Sequence, residues 1–302
     1  MKILIPDGIS KDGADLLTAA GHELTLTKYT PEELLAHIAE YDAIIVRSAT
    51  KVTKEVIDAG AKLKVIARGG VGLDNIDTAH AKSKGIPVLN TPGASAISVA
   101  ELAIGHMFAV CRFLNVSTME MRQGKWPKKD YAKGIELYKK TLGIIGFGAI
   151  GKEVGRRAVG LGMTVLAYDP VFVPADYPVE QTTKQDLLKR SDFVTLHVPL
   201  DKAAGPTIGA AEFAMMKDGV ILINCARGGV VDEAALLDAL NSGKVYGAGI
   251  DVFVNEPITE AQKALIDHPR VSASPHIGAQ TVEAQDRVSV EIAEKVIAAL
   301  RS

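Results

Sequence analysis

Cysteine is scarce in this chain: Cys111 and Cys225 are the only two in 302 residues, far apart and without C-x-x-C spacing. That excludes a disulfide framework and indicates no metal site, and both read as small buried side chains. An excess of either charge is also missing. The 34 Lys and Arg stand against 36 Asp and Glu, for a formal net charge of −2. So even a balance argues against nucleic acid or an acidic membrane surface as the main partner. The basic cluster from Lys125 to Lys133 is short enough to be a solvated loop. No long apolar run is free of charge. The most apolar one, Ala94 to Leu114, carries Glu101, His106 and Arg112, and reads as a helix buried between domains or subunits. The N-terminus, MKILIPDG, lacks a basic region followed by a long apolar core, so it reads as a first strand and the chain as soluble and cytoplasmic. Repeats, low-complexity tracts and Gly/Ser linkers are absent.

What is present is a chain longer than one typical domain, with 47% hydrophobic residues to fill two cores. Apolar, β-branched runs at 2–6, 23–27, 43–47, 64–68 and 87–90 predict strands. Helical patterns fill the gaps at 11–20, 31–39, 53–59 and 76–84. Thr30-Pro31-Glu32-Glu33 offers an N-cap, a first-turn proline and acids suited to the helix dipole. A single long helix is predicted over 94–115, then a polar, irregular crossing segment over 121–138. The alternation restarts at Thr141, with strands at 142–145, 164–169, 193–198, 220–224, 246–251 and 271–273. Helices fall between them, one at 232–241 capped by Asp232, and a last helix covers 279–300. Alternation of this kind implies α/β architecture with two parallel sheets.

The second half opens on Thr141-Leu-Gly-Ile-Ile-Gly-Phe-Gly-Ala-Ile-Gly151, a buried strand followed by G-x-G-x-x-G. Gly146 permits a tight turn, Gly148 lets backbone approach a pyrophosphate, and Gly151 lets the next helix pack on the strand. The pyrophosphate would then meet N–H groups at the positive end of that helix. The next predicted strand ends in Asp169, 18 positions after Gly151. A carboxylate there accepts hydrogen bonds from the adenosine ribose and repels a 2′-phosphate, so the cofactor predicted is NAD rather than NADP.

Residues of catalytic type follow at strand ends, where open parallel sheets bind ligands. Arg227 comes after a buried strand and before two glycines; it can grip a carboxylate through two parallel hydrogen bonds, or serve a structural ion pair. Glu256 lies in a loop after a strand, and His276 between a strand and the final helix. Each alone has an ordinary structural explanation. Together they supply a histidine acid/base, a carboxylate to orient it and an arginine for a carboxylate substrate. That set moves a hydride and a proton across a 2-oxo/2-hydroxy acid.

The chain resembles the D-isomer-specific 2-hydroxyacid dehydrogenases. The resemblance is carried by Val46-Arg-Ser-Ala-Thr-Lys-Val52, Ala67-Arg-Gly-Gly-Val-Gly-Leu-Asp-Asn-Ile-Asp77, Asn90-Thr-Pro-Gly93 and Gly146 to Gly151. It continues in Asn224-Cys-Ala-Arg-Gly-Gly-Val-Val-Asp-Glu233, Asp251-Val-Phe253 with Glu256-Pro257, and Pro275-His-Ile-Gly278. It covers nearly the whole chain. It implies a Rossmann NAD-binding domain at 94–275 inserted into a discontinuous flavodoxin-like substrate domain, 1–93 plus 276–302. The active site would lie in the cleft between them.

The resemblance also implies Arg227, Glu256 and His276 as the catalytic trio. Cofactor contacts would come from Gly146, Phe147, Gly148, Ala149, Ile150, Gly151, Asp169, His197, Val198, Pro199, Cys225, Ala226, Arg227, Asp251, His276 and Gly278. Substrate contacts would come from Arg47, Ser48, Arg68, Gly70, Val71, Arg227 and His276. The likeness is strongest to members that oxidise 3-phospho-D-glycerate to 3-phosphohydroxypyruvate, the first step of serine biosynthesis. In those, arginines at the positions of Arg47 and Arg68 help hold the phosphate. Members that reduce glyoxylate, hydroxypyruvate or D-lactate's oxo acid would use the same trio. NAD(H)-sensing corepressors are a further class on this fold. A homodimer through the cofactor domain is implied, with the 94–115 helix and the crossing segment contributing. Longer members carry a C-terminal serine-binding domain, and feedback by that route is not expected of a sequence ending at Ser302.

Overall fold

A computed structural model describes residues 1–301. The chain divides into two compact units, Met1–Ser95 with the segment from Ala279, and Ala96–Gly278. The first unit is built from β1 (Lys2–Leu4), α1 (Lys11–Ala19), β2 (Glu23–Thr25), α2 (Pro31–His37), β3 (Ala43–Val46), α3 (Lys54–Ala59), β4 (Val65–Arg68), α4 (Thr78–Ser83) and β5 (Val88–Asn90). The second begins with α5 (Ala96–Cys111) and α6 (Leu114–Arg122), then β6 (Thr141–Ile145), α7 (Ala149–Gly160), β7 (Thr164–Tyr168) and β8 (Glu180–Gln181). It continues with α8 (Lys184–Arg190), β9 (Phe193–Leu196), α9 (Ala210–Met215), β10 (Val220–Asn224), α10 (Glu233–Asn241), β11 (Val245–Ile250), α11 (Glu260–Ile266) and β12 (Val271–Ala273). The last helix, α12 (Val282–Arg301), returns to the first unit.

Every strand pairing is parallel. The first sheet runs β2-β1-β3-β4-β5 and the second β12-β11-β10-β9-β6-β7-β8. These are the flavodoxin-like and Rossmann orders, the latter with one strand added. The side-chain period of two explains why the central strands read as unbroken apolar runs. Ile44, Val46 and Ile66 enter a core with Leu34 of α2 and Val56 of α3. Their neighbours Ala43, Ile45, Val65 and Ala67 enter another with Leu17 of α1 and Ile292 and Val296 of α12. In the second sheet, Ile144, Val165, Phe193 and Ile221 face Met107 of α5 and Val154 of α7. Ile145, Leu166, Val194 and Leu222 face Leu187 of α8 and Leu236 of α10.

Helix starts follow their predicted caps. Thr30 and Glu33 form a reciprocal capping box on α2, and the Asp232 side chain accepts from Ala234 and Ala235 N–H on α10. The 94–115 segment departs from expectation. It is two helices bent by 62°, because Phe113 takes the left-handed conformation at φ 56° and closes the α5 register. No single helix among the described residues is long and apolar enough to cross a membrane. The two-residue β8, polar and at a sheet edge, carried no apolar signal and was not predicted. The division between units also lies at 95/96 and 278/279 rather than at 93/94 and 275/276. The reason is local: Ile277 and Gly278 N–H donate to Asp251 of the second unit, which holds His276 there.

Candidate active site

In the second sheet the strand order reverses between β6 and β9, so crossovers leave on opposite faces and a crevice opens at the strands' C-terminal ends. The glycine loop follows β6. Gly146 has φ +92°, and a Cβ there would lie 2.4 Å from the His197 carbonyl oxygen and 2.8 Å from Val198 Cγ1. The turn and its neighbour strand therefore admit only hydrogen at that position. A Cβ on Gly151 would meet Gly146 O at 2.1 Å, which explains how α7 starts directly against the turn.

Gly148 differs. It is the N-cap of α7, no side chain caps the helix there, and nothing lies within 4 Å of where its Cβ would be. Gly148 and Ala149 are exposed and Ile150 is half-buried. An uncapped helix start with open space above it fits a pyrophosphate. Asp169, at the end of β7, reaches the same turn: its carboxylate accepts from Phe147 N–H at 2.7 Å and from Val171 N–H at 2.8 Å. Two bonds leave further lone pairs for ribose hydroxyls. The Phe147 ring itself is buried, stacked on Phe172 with centroids 5.3 Å apart, so only its backbone faces the loop.

His197, Val198 and Pro199 follow β9. The His197 Nε2 lies 2.9 Å from Thr195 Oγ1, and burial drives its pKa down to about 3, so the ring is neutral. Cys225 and Ala226 are buried after β10, and burial pushes the Cys225 thiol upward, keeping it protonated.

Arg227, Glu256 and His276 follow β10, β11 and β12, three adjacent parallel strands, and so share one edge of the sheet. Asn224 fixes the arginine loop by accepting from Ala226 N–H at 3.1 Å and donating to the Arg227 carbonyl at 3.2 Å. The guanidinium donates to Ala226 O at 2.6 Å. Glu256 accepts from Phe253 N–H at 3.0 Å with Oε1, and its Oε2 lies 2.6 Å from His276 Nδ1. That contact puts the Nδ1 proton on the glutamate side and leaves Nε2 as the ring nitrogen not engaged by Glu256. Both side chains are more than a third exposed.

The loop carrying His276 is built on Asp251, which is 1% exposed. Asp251 accepts from Ser274 Oγ at 2.5 Å, Ile277 N–H at 2.9 Å and Gly278 N–H at 2.8 Å. Its carbonyl accepts from His276 N–H at 2.8 Å. His276 has φ 53°, a left-handed conformation that a side-chain-bearing residue adopts only when its surroundings hold it. The Gly278 carbonyl accepts from Ser98 Oγ of α5 at 2.6 Å. Both carboxylate oxygens of Asp251 thus serve this loop, a role that sequence spacing did not reveal.

The remaining residues lie in the first unit, at and beyond the ends of β3 and β4. Asp7 accepts from Arg47 N–H at 2.7 Å and Thr50 N–H at 3.1 Å, tying the loops after β1 and β3. The half-buried Arg47 donates to Ser289 Oγ at 3.4 Å, and burial lowers its pKa against the opposing pull of Asp7. Ser48 is exposed. The Arg68 side chain is 12% exposed, donates to the Gly72 carbonyl and lies 3.9 Å from Asp74. Gly70 and Val71 are half-exposed, their carbonyls accepting from Thr91 N–H at 3.0 Å and Asn90 Nδ2 at 2.7 Å. Arg68 is thus held by its own loop more tightly than the sequence suggested.

A doubly wound sheet with an uncapped helix at its switch point and a histidine–carboxylate pair on the same edge defines a dinucleotide-dependent dehydrogenase. Comparison with known proteins narrows the class. Residues 104–278 match the NAD-binding domain of the D-isomer specific 2-hydroxyacid dehydrogenases. The chain is 50% identical to a hydroxypyruvate reductase of Thermotoga maritima over 98% of this chain and 97% of that one. It is 44% identical to D-3-phosphoglycerate dehydrogenase of Methanocaldococcus jannaschii over its whole length, spanning 58% of that protein. A glyoxylate reductase structure from Paecilomyes thermophila superposes with a TM-score of 0.90 at 32% identity, covering 100% of this chain and 96% of that one. The chain belongs to the D-isomer-specific 2-hydroxyacid dehydrogenases, and its cofactor is NAD.

Proposed function

We propose that the chain interconverts 3-phospho-D-glycerate and 3-phosphohydroxypyruvate in the first step of serine biosynthesis. The observation that carries the chemistry is the His276–Glu256 contact of 2.6 Å beside the Arg227 loop. The Gly146–Gly151 turn and Asp169 would hold NAD(H), which when bound would supply the hydride or take it up in oxidation. His276 in its charged form donates the Nε2 proton to the 2-oxo oxygen, and in oxidation takes the hydroxyl proton back. Glu256 holds Nδ1–H and stabilises the charged ring. Arg227 grips the substrate carboxylate, with the Gly70 and Val71 backbone as a second contact. Arg47 and Arg68 contribute the phosphate contact, a reading supported by their position at the ends of adjacent strands, Arg47 following β3 and Arg68 closing β4, with Val46 paired to Arg68.

A second reading has its own support. The 50% identical relative that this chain covers nearly end to end is a hydroxypyruvate reductase, whose named substrate carries no phosphate. Arg68 bound to Gly72 O is compatible with it. Measuring kcat/KM for phosphohydroxypyruvate and hydroxypyruvate, in wild type and Arg47→Ala, separates the two. The phosphate reading expects a preference for the phosphorylated acid that Arg47→Ala reduces. Equal use of both acids by the wild type would favour the reductase.

A cytoplasmic homodimer through α5, α6 and the crossing segment belongs to the same proposal. Leu114, Met119, Met121, Trp126 and Tyr138 are each more than half exposed there, an apolar surface suited to a second copy. Sedimentation equilibrium tests it, and a monomer at micromolar concentration would refute it.

A further inference from the structure

A polar chain in the second unit, buried at His106, Ser272 and Asp251, runs from the exposed Asn115 to the loop that carries His276. His106 lies in the middle of α5, a helix made chiefly of apolar residues, and is 4% exposed. Its Nδ1 lies 2.8 Å from Ser272 Oγ on β12, and its Nε2 lies 3.0 Å from Ser274 Oγ just beyond that strand. Ser274 Oγ is 2.5 Å from Asp251 Oδ1, and Asn115 Nδ2 is 2.9 Å from Ser272 Oγ. Gly249 on β11 makes the room, since a Cβ there would lie 2.5 Å from His106 Cβ.

The direction of each proton follows from the chemistry of the groups. An ionised carboxylate only accepts, so Ser274 donates to Asp251. Having used its one proton, Ser274 accepts from His106, which fixes the Nε2–H tautomer. Nδ1 is then an acceptor for the Ser272 hydroxyl, whose oxygen accepts from Asn115. The donors run one way, Asn115 to Ser272 to His106 to Ser274 to Asp251, and both ring nitrogens are used. A singly protonated ring is also what burial favours, because it lowers the His106 pKa more than the Asp251 charge raises it.

The chain ends on the carboxylate that accepts from Ile277 and Gly278 N–H, and whose own residue binds His276 N–H through its carbonyl. The left-handed φ of His276 is not a conformation the loop would choose unaided. We propose that His106 is a positioning residue for His276, acting through Ser274 and Asp251 to fix the backbone of Ser274–Gly278 and the aim of the catalytic ring. This rests on His276 as the proton donor.

The test uses full-length enzyme with the better of the two oxo acids, and the variants His106→Leu and Ser274→Ala. Each lowers kcat by about tenfold, the loss expected when one hydrogen bond that orients a reacting group is removed. NADH affinity, read from fluorescence titration, stays within about twofold, so that the loss appears in turnover and not in cofactor binding. In a His276→Gln background neither substitution lowers kcat further, because the group they aim is gone. Long-range 1H–15N spectra of the wild type show His106 as the neutral Nε2–H tautomer at pH 7. Unchanged kcat in Ser274→Ala, an Nδ1–H or charged His106, or an undiminished tenfold loss in the His276→Gln background would each overturn the proposal. Should His106→Leu fail to fold, Ser274→Ala and the spectra decide the matter. If His276→Gln alone keeps normal turnover, the proton-donor reading fails, and the positioning role falls with it.

Discussion

Gly228 offers the sharpest single perturbation of the sheet edge that carries Arg227, Glu256 and His276. A Cβ at that position would lie 1.8 Å from the Phe253 carbonyl oxygen and 2.2 Å from its carbon, where real Cβ contacts essentially never fall under 3.0 Å. Both obstacles are backbone, so no side chain can swing aside, and the loops after β10 and β11 must part by more than about an ångström. Arg227 rides on the first loop and Glu256 on the second. A displacement of about 1 Å in groups that align a reaction costs roughly a hundredfold, so Gly228→Ala is expected to lower kcat/KM by about that factor. Overpacking costs about 1–3 kcal/mol, which for a domain of this size is a Tm loss of roughly 2–12 °C. NADH affinity should fall by less than kcat/KM does, because β9 stands between β10 and the glycine-loop strand β6, and only the expected contacts at Cys225, Ala226 and Arg227 ride on the displaced loop. Steady-state kinetics, calorimetry and fluorescence titration read the three quantities. Wild-type kcat/KM together with wild-type Tm would refute the reasoning, since the two loops would then not be in contact.

Asp169→Ala removes the carboxylate that accepts from Phe147 and Val171 N–H; if that carboxylate also holds the adenosine ribose, NADH should bind about tenfold more weakly while NADPH gains relative to it. An unchanged NADH/NADPH ratio would remove Asp169 from cofactor selection. His197 is held neutral with a pKa of about 3, whereas an unfolded histidine titrates near 6.5, so the unfolded chain binds the extra proton between those values. Its contribution to stability is therefore complete at pH 7 and declines as pH falls below about 6.5. Urea unfolding should show about 1 kcal/mol less decline between pH 7 and 5.5 in His197→Gln than in wild type. Equal slopes would mean the ring is solvated.

Much of the fold was legible because a two-sided parallel strand needs an unbroken apolar run, and the runs at 43–47, 64–68, 142–145, 193–198 and 220–224 became inner strands of the two sheets. Strand ends were legible for the same reason, so Arg227, Glu256 and His276 fell on one edge once the strand order was known. The bend at Phe113 was not, since apolar periodicity continues through it and only a backbone angle interrupts the helix. Nor was the service of Asp251, Ser274 and Ser98 to the His276 loop. Isolated hydroxyls and acids carry no period, and their partners lie up to 180 residues away. The sequence shows only the charge of Arg68, while its bond to Gly72 O depends on how the loop after β4 closes back.

The central claim is that the Glu256-bound His276 moves the proton while NAD handles the hydride. Substituting His276→Gln and following NADH oxidation with phosphohydroxypyruvate and hydroxypyruvate tests it most directly. Turnover should fall by about 10²–10⁴-fold with NADH affinity nearly unchanged. Near-normal turnover in that variant would contradict it.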